Sequence, residues 1–266
     1  MKVYCCQLDI AWENKAENFK RVTTLLRKQR LWRGSLLILP EMFATGFSMN
    51  AKAIAESAVG ATDRFLRALA REHGVFVIGG LVRSASDGRF FNAAVCLAPD
   101  GRRVASYAKL HLFSPGGESR HYAPGLAITL FQWAKYKVAV SICYDLRFPE
   151  LYRMAVQQAA NVLVVIANWP APRHFHWQAL LRARAIENQA YVVGVNRCGA
   201  DAQLAYQGGS MVVGPGGETV AEAGKKETVL AANLDLAGLN RLRADFPALR
   251  DIRTRYRLAG ASRQGN

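Results

Sequence analysis

Residues 137–150 read KVAVSICYDLRFPE and contain the transition that decides the fold. The apolar run Lys137–Ile142 predicts a buried β-strand that ends at Cys143. Pro149 predicts the first turn of a helix, because its ring fixes φ and no N–H is needed there. The connection between strand and helix is short. It therefore predicts a tight turn that presents the Cys143 sulfur, the geometry of a nucleophile elbow.

The same alternation of apolar strands and amphipathic helices extends outward from this turn in both directions. Thr62 is expected to cap a helix that ends near Gly74, and a last helix is expected at about residues 237–244. Alternation with mixed strand pairs predicts a layered α/β fold in one domain, residues 1–240, followed by a helix end and basic tail over 241–266. Further strands are predicted at 3–8, 36–39, 75–82, 93–97, 162–167, 191–195, 210–213 and 228–234.

The composition is that of a globular protein: of 266 residues, 51% are hydrophobic and 21% charged. The longest strictly apolar run, Val162–Ala167, is far shorter than the roughly 20 residues of a membrane-spanning helix. The first nine residues already contain charges, which is not typical of a secretory signal. The 5 cysteines form no CxxC pair, which favours free thiols in a reducing compartment. A cytoplasmic location is therefore expected.

The net charge of +15 raises the question of a polyanionic partner. Residues 15–33 hold seven basic and one acidic residue, and residues 241–263 hold seven arginines and two aspartates. No nucleic-acid-binding motif accompanies these charges, so specific nucleic-acid recognition is not expected. Attraction of a small anionic substrate is the simpler interpretation.

Three reactive side chains stand where apolar strands end, the place where α/β proteins gather active-site groups. Glu41 follows the strand at 36–39, Lys109 follows Tyr107-Ala108, and Cys143 ends the strand at 137–142. A glutamate can take a thiol proton, and a lysine can stabilise the oxyanion formed when sulfur adds to a carbonyl. Residue types alone leave the alternative open that Cys143 is a core residue, Glu41 a helix cap and Lys109 a solvated cation.

The segments 39–41, 109–113 and 143–150 resemble the three signature blocks of the nitrilase, or carbon–nitrogen hydrolase, superfamily. They occur in the family's order, and the resemblance runs from Val3 to about Leu236. Segments 167–170 and 176–189 look most like the omega-amidase branch. The resemblance implies an αββα sandwich whose protomers pair into an αββααββα homodimer through the helices around 149–158 and 175–189.

The resemblance also implies residue roles. Cys143 would be the nucleophile and Glu41 the general base and acid. Lys109 and the backbone N–H of Tyr144 would stabilise the oxyanion. Glu118 is the candidate for the family's second active-site glutamate.

The reaction implied is hydrolysis of a small ω-amide, of the 2-oxoglutaramate or 2-oxosuccinamate type, to a 2-oxo acid and ammonia through a thioester. The substrate carboxylate requires a cation, for which Arg147 and Arg173 are the candidates. For each arginine an ordinary structural ion pair is the alternative. Phe113, Asn168 and Trp169 complete the predicted substrate pocket.

Two other functions remain open. One is another amidase of the superfamily, acting on deaminated glutathione or another small amide. The other is a non-catalytic polyanion-binding protein that uses the +15 charge. A papain-like Cys–His pair does not fit the surrounding sequence. No metal or cofactor is expected, because His174 and His176 have no third ligand at suitable spacing.

Overall fold

Two six-stranded β-sheets pack face to face, with helices on both outer faces. The computed structural model describes residues 1–253, so Arg255 and Arg257 of the expected basic tail lie outside the described residues. The strands are β1 Lys2–Gln7, β2 Leu36–Ile38, β3 Phe76–Ser84, β4 Phe90–Leu97, β5 Arg103–Ala108, β6 Thr129–Trp133, β7 Tyr136–Ile142, β8 Val162–Ala167, β9 Tyr191–Asn196, β10 Cys198–Ala200, β11 Ala205–Gln207, β12 Met211–Val213, β13 Thr219–Glu222 and β14 Thr228–Asn233. The helices are α1 Lys15–Arg27, α2 Ala51–Ile54, α3 Ala61–His73, α4 Pro149–Gln157, α5 His174–Asn188 and α6 Leu236–Asp245.

The two large sheets have the same pattern of strand pairing. The first has the order β14-β1-β2-β3-β4-β5, and the second, read from the other edge, β6-β7-β8-β9-β12-β13. In each, the second, third and fourth strands run parallel and the remaining pairs are antiparallel. The two halves of the chain therefore share one topology, although no repeat is visible in residue identity.

Alternation along β8 shows how the layers are held together. Val162, Val164 and Ile166 belong to the core between the sheets. Leu163 and Val165 belong to the core under α4 and α5. All positions of β8 are buried, because a strand covered on both faces needs apolar side chains on both. The predicted αββα sandwich in a single domain is confirmed.

Helices α1 and α3 cover the first sheet through one apolar stripe each. Val22 and Leu26 of α1 and Leu66 and Leu69 of α3 belong to the core on that face. The α3 prediction was correct at its end, where Gly74 has φ +62°.

The α3 prediction was wrong at its start: the cap position is Gly60, and Thr62 lies inside the helix. The Glu56 carboxylate accepts from the Thr62 N–H (2.8 Å) and hydroxyl (2.8 Å). Glu56 therefore accepts the hydrogen bond at the start of the helix that Thr62 was predicted to accept. Along residues 1–253 no helix is long and apolar enough to cross a membrane.

Candidate active site

Cys143 lies at the turn between β7 and α4 with φ +49°, a left-handed conformation that is uncommon for a residue with a side chain. A short 3₁₀ turn, Cys143–Arg147, follows it directly and leads to Pro149 at the start of α4. Cys143 is half-buried and lies at the point where the chain leaves β7. The structure therefore has the tight turn that the sequence predicts.

Asp145 stabilises the turn at Cys143 through hydrogen bonds. It is fully buried, and its Oδ2 accepts hydrogen bonds from the Ile142 N–H (2.9 Å) and the Tyr107 hydroxyl (2.7 Å). Its Oδ1 accepts from the His111 N–H (2.9 Å) and lies 2.9 Å from His111 Nδ1. One carboxylate thus joins the elbow to the segment that follows Lys109.

Glu41 follows β2 and is fully buried. Its Oε1 accepts from Lys109 Nζ (3.0 Å) and Asn92 Nδ2 (2.7 Å). Its Oε2 accepts from the backbone N–H of Asn168 (2.8 Å). The main chain here lies directly against β3, because a Cβ at Gly80 would lie 2.6 Å from the Glu41 Cα.

Lys109, at the end of β5, lies between two glutamates. Its Nζ is 2.9 Å from Glu118 Oε2 and 3.0 Å from Glu41 Oε1, and the side chain is fully shielded from solvent. Asn92 Nδ2 also donates to Glu118 Oε1 (2.8 Å). The Phe47 ring centroid lies 5.1 Å from the ammonium and completes its enclosure. Two carboxylates, one ammonium and one amide therefore form a closed network.

The pKa values of Lys109 and Cys143 are both raised, so the lysine stays charged and the thiol stays neutral. Burial alone would lower the pKa of Lys109, but attraction by Glu41 and Glu118 outweighs it, so the pKa lies above its usual range and the ammonium stays charged. Burial, and then repulsion by Glu41, raises the pKa of Cys143 well above its usual value, although Lys109 opposes the shift. The resting site therefore holds a neutral thiol that requires a base before it can attack.

A narrow cleft beside the sulfur, about 30 Å³ in volume, is where the structure places the predicted substrate residues. The Arg147 guanidinium lies 5.0 Å from the Trp169 ring centroid, and the Arg173 guanidinium lies 5.4 Å from the Phe113 ring centroid. Neither arginine forms a salt bridge with any acidic residue within 1–253. The cleft is lined by Phe113, Cys143, Tyr144, Arg147, Asn168, Trp169, Pro170 and Arg173.

The structure thus brings the ten sequence-predicted site residues together: Glu41, Lys109 and Glu118 belong to the network, Cys143 and the six substrate residues line the cleft, and the Asn168 N–H joins the two by donating to Glu41. Sequence reasoning missed Asn92 and Asp145. Asn92 had a readable signal, because it is the one polar residue of the strand FFNAAVCL. Asp145 had none, since an aspartate after a strand is common in turns.

Known proteins resemble nearly the whole chain. The model of the carbon-nitrogen hydrolase family matches residues 2–244. The 2-oxoglutaramate amidase of Bacillus subtilis is 32% identical over 252 residues, which cover 94% of this chain and 97% of that protein. An omega-amidase of Yersinia enterocolitica is 37% identical over 255 residues, with 94% and 96% covered.

The fold has a close match among solved structures. A superfamily protein of Xanthomonas campestris, whose crystal structure holds an arsenic adduct in the active site, aligns with a TM-score of 0.91. The two sequences are 33% identical, and the alignment covers 96% of this chain and 98% of that one.

Proposed function

The chain belongs to the carbon–nitrogen hydrolase family and is an amide-hydrolysing enzyme, and from that premise we propose that its substrate is a short ω-amide with a 2-oxo acid head. The products would be the 2-oxo acid and ammonia, as for 2-oxoglutaramate or 2-oxosuccinamate. The observation that carries the proposal is the pair Arg147 and Arg173 in the cleft beside Cys143. A cation without an acidic partner is free to pair with a substrate carboxylate.

The first half of the reaction uses the neutral thiol. Glu41 takes the Cys143 proton as the sulfur attacks the amide carbon, and the carbonyl π electrons move to oxygen. Lys109 and the backbone N–H of Tyr144 stabilise that oxyanion, an effect of about 3–4 kcal/mol per donor in comparable chemistry. The oxyanion then re-forms the carbonyl, the C–N bond breaks, and Glu41 returns its proton to the departing ammonia.

The second half regenerates the enzyme. Glu41, again a carboxylate, takes a proton from water as the water oxygen attacks the thioester carbon. The C–S bond then breaks, the acid leaves, and the sulfur recovers its proton from Glu41. Division into two steps replaces one difficult displacement by two easier ones.

The buried Glu–Lys–Glu network, together with the family assignment, favours catalysis over a purely polyanion-binding role.

The test is ammonia release from 2-oxoglutaramate, succinamate and glutamine by the wild type and by Cys143→Ala. Fast release from the 2-oxo amide that is lost in the folded variant supports the proposal. Turnover by Cys143→Ala would refute the thioester mechanism. No release from any of the three by the wild type would reject the substrate class, and larger amides would be tested next.

We also propose that the protein is a homodimer formed through the outer face of α4 and α5. Three large apolar side chains project from these helices: Met154 is 56% exposed, Phe175 77% and Ile186 55%. Exposed apolar groups on adjacent helices are typical of an interface. Light scattering should report a dimer for the wild type and a smaller mass for Phe175→Glu. A monomeric wild type would refute this proposal.

A further inference from the structure

Asn92 is a buried polar residue in the middle of the site. Its side chain is fully shielded, and its Nδ2 lies 2.7 Å from Glu41 Oε1 and 2.8 Å from Glu118 Oε1. An amide nitrogen has two hydrogens, so both are used on carboxylates. Rotating the amide would place its oxygen against two carboxylate oxygens, and the chemistry therefore fixes its orientation. The Asn92 Oδ1 has no hydrogen-bond partner in the described part of the chain.

The two oxygens of Glu41 differ in what they already accept. Each carboxylate oxygen offers two lone-pair positions. Oε1 accepts from both Lys109 Nζ (3.0 Å) and Asn92 Nδ2 (2.7 Å), so both positions are filled. Oε2 accepts one good bond, from the Asn168 N–H at 2.8 Å. The Asn168 Nδ2 lies 3.3 Å away and makes its shorter bond, 2.7 Å, to the Glu41 main-chain oxygen.

We propose that Asn92 is a positioning residue that fixes Glu41 Oε2 as the oxygen that exchanges a proton with Cys143. The inference rests on the proposed role of Glu41 as the general base. The S–H bond breaks, its proton forms a bond to Oε2, and the electron pair stays on sulfur to form the S–C bond. Without the Asn92 donor, Oε1 regains a free lone-pair position, and the proton could then reside on either oxygen.

Asn92 also keeps Glu41 and Glu118 ionised together. Two carboxylates that share a site normally hold one proton between them. Here the hydrogens between the two come from Asn92 and Lys109, so neither glutamate needs to be protonated in the resting enzyme. A base that is already protonated could not accept the thiol proton.

Four ionisable groups face Glu41 from the surrounding elements. Lys109 follows β5, Glu118 lies in the turn Glu118–Arg120, and Cys143 lies at the elbow. Tyr122 is the fourth, and its pKa is raised by burial and then by Glu118 and Glu41. Removing the Asn92 amide changes none of these charges. It removes one N–H donor from each of two carboxylates, so the charged form of each loses a hydrogen bond in the variant.

The experiment measures alkylation of Cys143 by iodoacetamide as a function of pH, by intact mass and peptide mapping, in wild type, Asn92→Ala and Asn92→Leu. Leucine has nearly the shape of asparagine but no donor and no charge, which separates hydrogen bonding from packing. We expect the acid limb of the rate to move upward by about one pH unit or more in both variants. The kcat for the amide should fall more than about tenfold, with KM within about threefold.

Asn188→Ala is the matched control. Asn188 is also fully buried and also has an unpartnered Oδ1, but its Nδ2 donates within α5, to the Arg184 main-chain oxygen (3.0 Å) and to Glu187 Oε1 (3.4 Å), and not to a carboxylate of the site. This variant should lose stability and keep the wild-type acid limb. Acid limbs that coincide in the wild type and both folded Asn92 variants would overturn the proposal.

The wild type alone gives a second test. Infrared spectra at neutral pH should contain no band of a protonated carboxylic acid, and such a band, lost in Glu118→Gln, would overturn the proposal even if the Asn92 variants do not fold. Alkylation does not depend on the substrate. A wild type that alkylates normally but releases no ammonia from the 2-oxo amide therefore refutes the substrate and leaves Asn92 testable.

Discussion

Asp145→Asn is the substitution with the most direct consequence for the elbow. The new side chain can keep its oxygen toward His111, where Asp145 Oδ1 now accepts the backbone N–H at 2.9 Å. Its NH₂ group then faces the Ile142 N–H and the Tyr107 hydroxyl, which now donate to Oδ2 at 2.9 and 2.7 Å. The hydroxyl can rotate and accept, but the Ile142 N–H is left against another donor.

The expected loss of stability follows from the unpaired Ile142 N–H. A charge-assisted hydrogen bond contributes about 1.5–3 kcal/mol, and a buried unsatisfied N–H costs about 1–3 kcal/mol. We therefore expect the free energy of unfolding to fall by about 3 kcal/mol, which lowers Tm by about 6–12 °C in a chain of this size. Because Ile142 precedes the strained Cys143, a small displacement of the sulfur should also lower kcat by about 100-fold.

Urea unfolding and steady-state ammonia release measure the two effects. Asp235→Asn is the control, since the Asp235 side chain is 64% exposed and its nearest cation, Arg241 Nη2, is 3.7 Å away. That variant should change the free energy of unfolding by less than about 0.5 kcal/mol. If Asp145→Asn loses less than about 1 kcal/mol and turns over within about twofold of wild type, the assigned role of Asp145 is wrong.

Three smaller perturbations test the packing at Glu41, the oxyanion cation and the buried thiols. Gly80→Ala should lower kcat by about 100-fold, because its Cβ would lie 2.6 Å from the Glu41 Cα. Gly79→Ala is the control and should lower only Tm, because its Cβ would meet the flexible side chain of Leu66. Equal kcat values for the two variants would contradict this prediction. Lys109→Ala should lower kcat by about 100- to 1,000-fold in ammonia-release assays, and a loss below about tenfold would remove it from the oxyanion site. Burial raises the pKa of the Cys6 thiol to about 12. The stability contributed by this buried neutral thiol is therefore complete below the unfolded thiol pKa of about 8.5, and it is lost as pH rises from there toward 12. Thermal unfolding from pH 8 to 11 should show a shallower fall in Tm for Cys6→Ala, and parallel curves would refute the assignment.

The layered fold was predictable from local sequence, and three of the four candidate catalytic residues stand at strand ends that local sequence singles out. A strand such as β8 is apolar at every position because it is covered on both faces, and that pattern is visible without coordinates. Cys143 stands directly after β7, Lys109 directly after the half-exposed β5, and Glu41 three positions after the end of β2, where the chain leaves the sheet. The order of the three blocks then indicates the family, and Glu118 follows from the family pattern.

Only the tertiary structure decided which polar partners hold these residues and which cations have no acidic partner. Asn92 reaches Glu41 across 51 positions of sequence and Glu118 across 26, and such long-range contacts have no periodic signature. The same holds for Asp145, whose partner His111 is 34 positions away. Whether Arg147 and Arg173 have acidic partners is likewise a property of folded neighbours, since any of the 20 acidic residues could have paired with them. Local sequence determines which face of an element is buried, because burial follows the period of the backbone, but polar partners are set by the packing of distant segments.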